Sequence, residues 1–76
     1  MTYQELEPGD LFIFDYPHHG EQLRAWVYIR DEEGYRKHGD DTLRESPTVS
    51  IKVILVPPDT EVTDHMVQYP VERLIN

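Results

Sequence analysis

The strict alternation of residues 23–30, LRAWVYIR, constrains the fold more than any other feature of the sequence. Successive side chains of a β-strand point to opposite faces of a sheet, so this pattern predicts a half-buried strand. One face carries aliphatic side chains, those of Leu23, Ala25, Val27 and Ile29. The other face carries aromatic and arginine side chains, those of Arg24, Trp26, Tyr28 and Arg30. If the aliphatic face belongs to the core, the aromatic face points outward.

Short apolar runs separated by turn residues predict further strands on both sides of this one. Residues 11–16 and 48–56 are rich in aromatic and β-branched residues, which is typical of strands, and residues 35–36 fit a short return strand. The sequence Glu7-Pro8-Gly9-Asp10 predicts a tight turn in which Gly9 adopts a positive φ. We expect residues 48–56 to form the central strand, because this segment ends in the continuous apolar run VILV.

These elements predict a mostly β fold, a small, SH3-like, partly open barrel of roughly four to five short strands. A chain of 76 residues is too short for a two-sheet sandwich of ordinary size, so we expect a single domain over residues 1–76. Residues 31–34 are predicted to form a turn in which Gly34 accepts the left-handed conformation, and residues 37–47 a polar loop. Residues 70–75 fit either a single helical turn near the C-terminus or a closing edge strand.

The register between the first two predicted strands stays open at this point. Directly opposed residues of a hairpin share a face of the sheet. Pairing Phe14 with Ala25 would place the aromatic residues of the first strand in the core, and Leu11 and Ile13 would then face outward. Pairing Phe14 with Trp26 would instead place those aromatic residues outside.

The chain is acidic, with 15 Asp and Glu against 7 Lys and Arg and a net charge of −8. Nucleic-acid-binding proteins usually display clustered Lys and Arg, whereas the basic residues here are scattered, so we expect no direct binding to nucleic acid or to an anionic membrane. The chain has no cysteine, which excludes a disulfide framework and a thiolate nucleophile. No signal peptide or long apolar segment is recognisable, and we expect a cytoplasmic protein.

Two sets of residues are candidates for contact with another protein. The first is the aromatic face formed by Arg24, Trp26, Tyr28 and Arg30, whose residue types dominate interface hot spots. The second set comprises the loop carboxylates Asp31, Glu32, Glu33, Asp40, Asp41 and Glu45. Carboxylates spaced along exposed loops can imitate a row of phosphates and fit a basic groove. Each set has an alternative interpretation. Residues 64–76 would cover the aromatic face and make it part of the core, and the acidic residues would simply be solvent-exposed loop residues without a partner protein.

The histidines and carboxylates form no catalytic or metal site that the sequence identifies. The possible metal ligands are Asp15, His18, His19, His38 and His65. Their spacing in the sequence matches no recognisable metal-binding pattern, so we expect no metal and no cofactor. Ser46 precedes a proline and does not lie in a G-x-S-x-G turn. No pair of acids lies in the apolar surroundings that prepare a carboxyl group for acid catalysis. We therefore expect no catalytic residue.

Residues 9–29, GDLFIFDYPHHGEQLRAWVYI, resemble the opening hairpin of the plasmid growth-inhibitor toxins of the MazF and PemK type. In those small barrels a Gly-Asp pair leads into a strand that ends near Asp-x-Pro, and an arginine precedes the next strand. The resemblance supports a barrel. It also implies that Arg24 would bind the scissile phosphate of an RNA substrate.

The sequence as a whole favours a non-enzymatic, acidic protein-protein interaction module that docks on a basic surface of a larger protein or nucleoprotein complex. Such a module would be an accessory subunit, or an inhibitor that mimics nucleic acid and is encoded by a phage or a mobile element. Two alternatives stay open. One is an endoribonuclease similar to the MazF and PemK toxins, and the other is a structural homo-oligomer in which a homodimer buries the aromatic face.

Overall fold

Seven short strands make up most of the regular structure in residues 1–15 and 24–69, the part of the chain that the computed structural model describes. They are β1 (Leu11–Phe14), β2 (Arg24–Trp26), β3 (Tyr28–Arg30), β4 (Gly34–Lys37), β5 (Arg44–Glu45), β6 (Val53–Val56) and β7 (Met66–Gln68). Five strands form an antiparallel sheet in the order β5-β4-β3-β1-β6, and β2 pairs with β7 in a second sheet. The two sheets form no closed barrel within the described residues. The predicted mostly β fold of short strands is confirmed. The helical turn or edge strand predicted at 70–75 lies outside the described residues.

The strand predicted at 23–30 is divided at Val27, which forms the corner between the two sheets. The backbone N–H of Val27 donates to the carbonyl of His65 at 3.0 Å, and the Val27 carbonyl accepts from the N–H of His38 at 2.9 Å. The Val27 side chain is fully buried. One continuous alternating segment therefore supplies a strand to each sheet, which is one reason why the structure has more strands than the sequence predicts.

The segment expected to be the central strand lies at an edge. Only Val53–Val56 of residues 48–56 is a strand, and β1 is its neighbour on one side. The N-terminus covers part of its other side, because the Val53 N–H donates to the Met1 carbonyl at 2.9 Å and Thr2 forms a bridge with Lys52. The prediction of a central strand was therefore wrong. The apolar run is covered only in part, by the N-terminal segment, and its residue Leu55 is exposed.

The register places Phe12 opposite Tyr28, which corresponds to the alternative that would pair Phe14 with Trp26. The sequence predicted that the first-strand aromatic residues would lie outside in this register, and this was wrong. Phe12 and Phe14 are buried, because a short N-terminal 3-10 helix, Tyr3–Glu5, covers their face. The aromatic core consists of Tyr3, Leu6, Phe12, Phe14 and Val53, with Tyr28, Tyr35 and Ile51 packed against it.

A second core lies on the other face of β1. Its buried members are Ile13, Val27, Val56, Val67 and Tyr69. Strand β7 supplies Val67, so the small β2-β7 sheet covers this face. Strand β1 is thus packed on both faces, which accounts for the complete burial of its middle residues Phe12 and Ile13.

The predicted turn before β1 is confirmed. Gly9 has a φ of +95°, and the N–H of Asp10 donates to the carbonyl of Glu7 at 3.0 Å. The predicted turn at residues 31–34 also forms, with the Asp31 N–H donating to the Gly34 carbonyl at 2.7 Å. Gly34, however, begins β4 and has no positive φ.

Candidate functional site

The structure divides the predicted loop carboxylates between the two ends of β4. Asp31, Glu32 and Glu33 precede this strand, whereas Asp40 and Asp41 follow it. Asp40 lies in a turn in which its N–H donates to the Lys37 carbonyl at 3.0 Å. The predicted acidic set is therefore not one surface.

Five exposed carboxylates gather at the end of the sheet where β4 begins, and we call this surface the acidic end. It comprises Glu7, Asp31, Glu32, Glu33 and Glu45. The turn that contains Glu7 is joined to β3 by the Gly9 N–H, which donates to the Arg30 carbonyl at 2.8 Å. Glu45 is brought in by β5, in which it lies opposite Gly34. Backbone pairing thus collects carboxylates from three separate segments.

No ion pair with a described residue neutralises the five carboxylates of the acidic end. Arg30 directly precedes Asp31, but its Nη1 donates to the backbone carbonyls of Asp31 and Gly34. Its guanidinium also lies 5.1 Å from the centre of the Tyr3 ring, a cation–π distance. The charge of Arg30 is therefore held by the fold, and it forms no ion pair with these acids.

A shallow apolar depression adjoins the acidic end. It is lined by Gly9, Asp10, Leu11, Leu55, Val56 and Pro58. Leu55 is 46% exposed although it lies in a strand. Gly9 and Asp10 belong to the same turn as Glu7, so acidic residues border the apolar surface. An apolar centre with a polar rim is the usual composition of a protein interface.

The aromatic face predicted from the alternation is divided by the corner at Val27. Tyr28 packs in the aromatic core, with its ring 4.9 Å from that of Phe14, and Arg30 lies over Tyr3. Trp26 and Arg24 lie instead against the turn before β7, where an Nη2 hydrogen of Arg24 is donated to the Thr63 carbonyl. All four predicted contact residues are half-buried, and they do not form one continuous face.

Trp26 is the centre of a second cluster, which the sequence did not predict. The Lys37 Nζ lies 4.7 Å from the centre of the indole, and the ring of His65 stacks on it at 6.0 Å with an angle of 28° between the rings. The Nδ1 atoms of His65 and His38 are 2.9 Å apart. The Nε1 of Trp26 is enclosed and has no acceptor among the described residues.

The histidine pair could not be identified from the sequence, because its members are separated by 27 positions and follow no known spacing. A weak signal was Gly39, next to His38. It has a φ of +83°, and a Cβ at this position would lie 2.4 Å from the Cε1 of His65. Within the two described ranges, no group of three or more His, Cys, Asp or Glu side chains is arranged to hold a metal. His18 and His19 lie outside those ranges.

Among the described residues, no helix is both long enough and apolar enough to span a membrane. No family model, no curated protein and no solved structure matches this chain. The resemblance of residues 9–29 to the MazF and PemK toxins thus rests on those residues alone.

Proposed function

We propose that this chain is a non-enzymatic protein-protein interaction module that docks through its acidic end on a basic surface of a larger protein or nucleoprotein complex. One observation carries the proposal: five exposed carboxylates from three segments have no cationic partner among the described residues, and the turn of one of them, Glu7, lines an apolar depression. A surface of this kind offers charge to an incoming partner without first breaking an internal ion pair.

The two parts of this surface have different physical roles in docking. The carboxylates act at long range, because complementary charge accelerates and orients the encounter of two proteins. The depression around Leu55 acts at contact, because burying apolar surface contributes about 25 cal/mol per Å². Partners in which basic residues surround a protruding apolar side chain fit both features. A groove that normally holds nucleic acid has the required charge, which is the inhibitor form of the proposal.

The aromatic face has a smaller part in this proposal than the sequence suggested. Tyr28 and Arg30 already pack in the aromatic core, so contact through this face would fall to Trp26 and Arg24. The alternative of an RNA-cleaving protein would need Arg24 to bind a phosphate. Its guanidinium donates from Nη2 to the Thr63 carbonyl, so phosphate binding would rely on its remaining donors.

The test compares two variants that each remove two negative charges. In the first, Glu32→Gln and Glu33→Gln neutralise the turn of the acidic end. In the matched control, Asp40→Asn and Asp41→Asn neutralise the turn beyond the other end of β4. The Asp40 Oδ1 accepts a hydrogen bond from the Thr42 N–H, and the amide introduced by Asp40→Asn keeps an oxygen for that bond. Tagged forms of all three proteins are used to capture partners from lysate, and the affinity for the captured protein is then measured with purified components.

We expect the first variant to bind its partner at least tenfold more weakly than the control, because only the first removes charge from the docking surface. We also expect binding by the wild type to weaken as NaCl rises from about 50 to about 300 mM, since salt screens complementary surface charges. Equal affinities of the two variants, or an affinity that salt does not change, would contradict the proposal.

A further inference from the structure

His38 and His65 meet through identical ring atoms, with 2.9 Å between their Nδ1 nitrogens. A hydrogen bond at this position needs one Nδ1 that carries a hydrogen and one that carries a lone pair. The two rings satisfy this when both are neutral and also when one of them is protonated. When both are protonated, no acceptor remains and two positive charges face each other. The contact therefore tolerates one added proton and is lost with the second.

The contact joins two turns that are fixed to the same buried residue. The His38 N–H donates to the Val27 carbonyl, and the Val27 N–H donates to the His65 carbonyl. Val27 is the corner between the two sheets. Separation of the imidazoles thus acts where the β2-β7 sheet is attached to the five-stranded sheet.

The turn that presents His65 is strained. Thr63 and Met66 exchange two backbone hydrogen bonds of 2.9 and 3.0 Å, and the two residues between them, Asp64 and His65, have φ values of 53° and 65°. Positive φ at both central residues suits the twist of a hairpin but is unfavourable for residues other than Gly, Asn and Asp. His65 is held there in part by its contacts with Trp26 and His38.

Positive charge prevails on the side of the cluster formed by the strands. Lys37 of β4 lies over the same indole as His65, and Arg24 of β2 donates to the turn at Thr63. Each of the two turns carries one carboxylate close in sequence to its histidine, Asp64 and Asp40. Neither carboxylate forms an ion pair with an imidazole in the described part of the chain. A second proton on the histidine pair is therefore not neutralised by a direct partner.

We propose that the His38–His65 pair is a pH-sensitive switch, which holds the Thr63–Met66 turn against the end of β4 at neutral pH and releases it when both rings are protonated. Release frees the backbone of Val27 from His65 and uncovers the indole of Trp26. Because the released form can bind one more proton than the closed form, acidification favours release by up to tenfold for each pH unit. This inference does not depend on the proposed docking function.

The test measures hydrogen exchange at the Val27 amide, whose donor bond to His65 is lost on release. Its protection factor, corrected for the intrinsic effect of pH, is compared at about pH 7.5 and about pH 5, with EDTA present so that no metal ion bridges the rings. We expect the wild-type protection factor to fall at least tenfold. We expect His38→Gln and His65→Asn to show low protection that does not change with pH, and Asn is chosen for the second substitution because it tolerates positive φ.

The control is His18→Gln combined with His19→Gln, which removes the other two histidines of the chain. This variant should respond to pH as the wild type does. The proposal is overturned if Val27 is equally protected at both pH values in the wild type. It is also overturned if His38→Gln and His65→Asn retain the wild-type fall, because the response would then come from other titrating groups.

Discussion

At the scale of single residues, Gly34 is required by the close approach of two strands. It is buried at the start of β4 and lies opposite Glu45 of β5. A Cβ at this position would lie 2.0 Å from the backbone carbonyl oxygen of Arg44. The sequence predicted that this glycine serves a left-handed turn, yet its φ is not positive. Glycine is needed here because there is no space for a Cβ, and a larger residue would push β5 away from β4.

We therefore expect Gly34→Ala to destabilise the protein by about 1–3 kcal/mol, the usual cost of forcing extra atoms into a packed site. The loss of stability is measured by urea unfolding, and detachment of β5 by hydrogen exchange at Glu45. Gly9→Asn is the comparison: a Cβ at Gly9 has nothing within 4 Å, so any loss of stability there comes from the φ of +95° and not from a clash, and the protection of β5 should be unchanged. An unchanged unfolding midpoint in Gly34→Ala would show that β5 moves away without cost.

At the scale of elements, the short helix Tyr3–Glu5 decides which face of the sheet becomes core. Tyr3 is buried, and its ring makes an edge contact with Phe12 at 5.8 Å. The Tyr3 hydroxyl forms a 2.9 Å hydrogen bond with the hydroxyl of Ser46. Without this cover the aromatic residues of β1 and β3 would face solvent, as the sequence predicted for this register.

The helix is held at its start by Glu5. Its carboxylate accepts hydrogen bonds from the Thr2 N–H at 2.9 Å and the Thr2 hydroxyl at 3.1 Å. These hydrogen bonds lower the pKa of Glu5 below its ordinary value of 4.5, because both favour the ionised form. The bond from the Thr2 N–H has the larger effect and the bond from the hydroxyl the smaller. The folded pKa is below the unfolded one, so this contribution to stability is complete above the unfolded pKa and is lost as pH falls through the folded pKa.

Accordingly, Glu5→Gln should unfold at a lower urea concentration than the wild type near neutral pH, and the difference should shrink as the pH is lowered to about 3. The measurement is the urea midpoint of both proteins across this range. Glu7→Gln is the matched control, since no pair of hydrogen bonds from Thr2 reaches that carboxylate. A difference between Glu5→Gln and wild type that is constant with pH would mean that Glu5 acts through packing and not through its charge.

Elements that show a local sequence pattern could be predicted. Features that depend on contact with residues distant in the sequence could not. The alternation at 23–30 predicted a strand where β2 and β3 lie, although as one strand and not two, and the Pro8-Gly9 sequence predicted the turn before β1. No sequence pattern at Tyr3–Glu5 indicates that this helix packs over β1. Strands β5 and β7 are too short to show the alternation that is typical of a strand. Four members of the acidic end belonged to the predicted acidic set: Asp31, Glu32, Glu33 and Glu45. Glu7 joins it only through pairing between strands, as His38 joins His65.

At the scale of the whole molecule, charge opposes folding. The net charge is −8, and five of the carboxylates are collected at the acidic end without a cationic partner among the described residues. Salt normally has two opposite effects on a folded protein, since it weakens attractive ion pairs and also screens repulsion. Repulsion between like charges dominates here, because the acidic end, within the described ranges, holds no ion pair that salt could weaken.

It follows that the protein should become more stable as NaCl rises from about 20 to about 300 mM, with a gain on the order of 1 kcal/mol. Urea unfolding is the suitable measurement, because urea is uncharged and leaves the ionic strength to the added salt, which guanidinium chloride does not. Replacing Glu32 and Glu33 by lysine should reduce the gain, since repulsion at the acidic end is then relieved before salt is added. A wild-type urea midpoint that falls with NaCl would instead mean that attractive ion pairs contribute more to the stability of the folded state than repulsion costs it. The carboxylates that we propose for docking would then not be a source of instability, and a basic partner would not stabilise the fold by relieving repulsion.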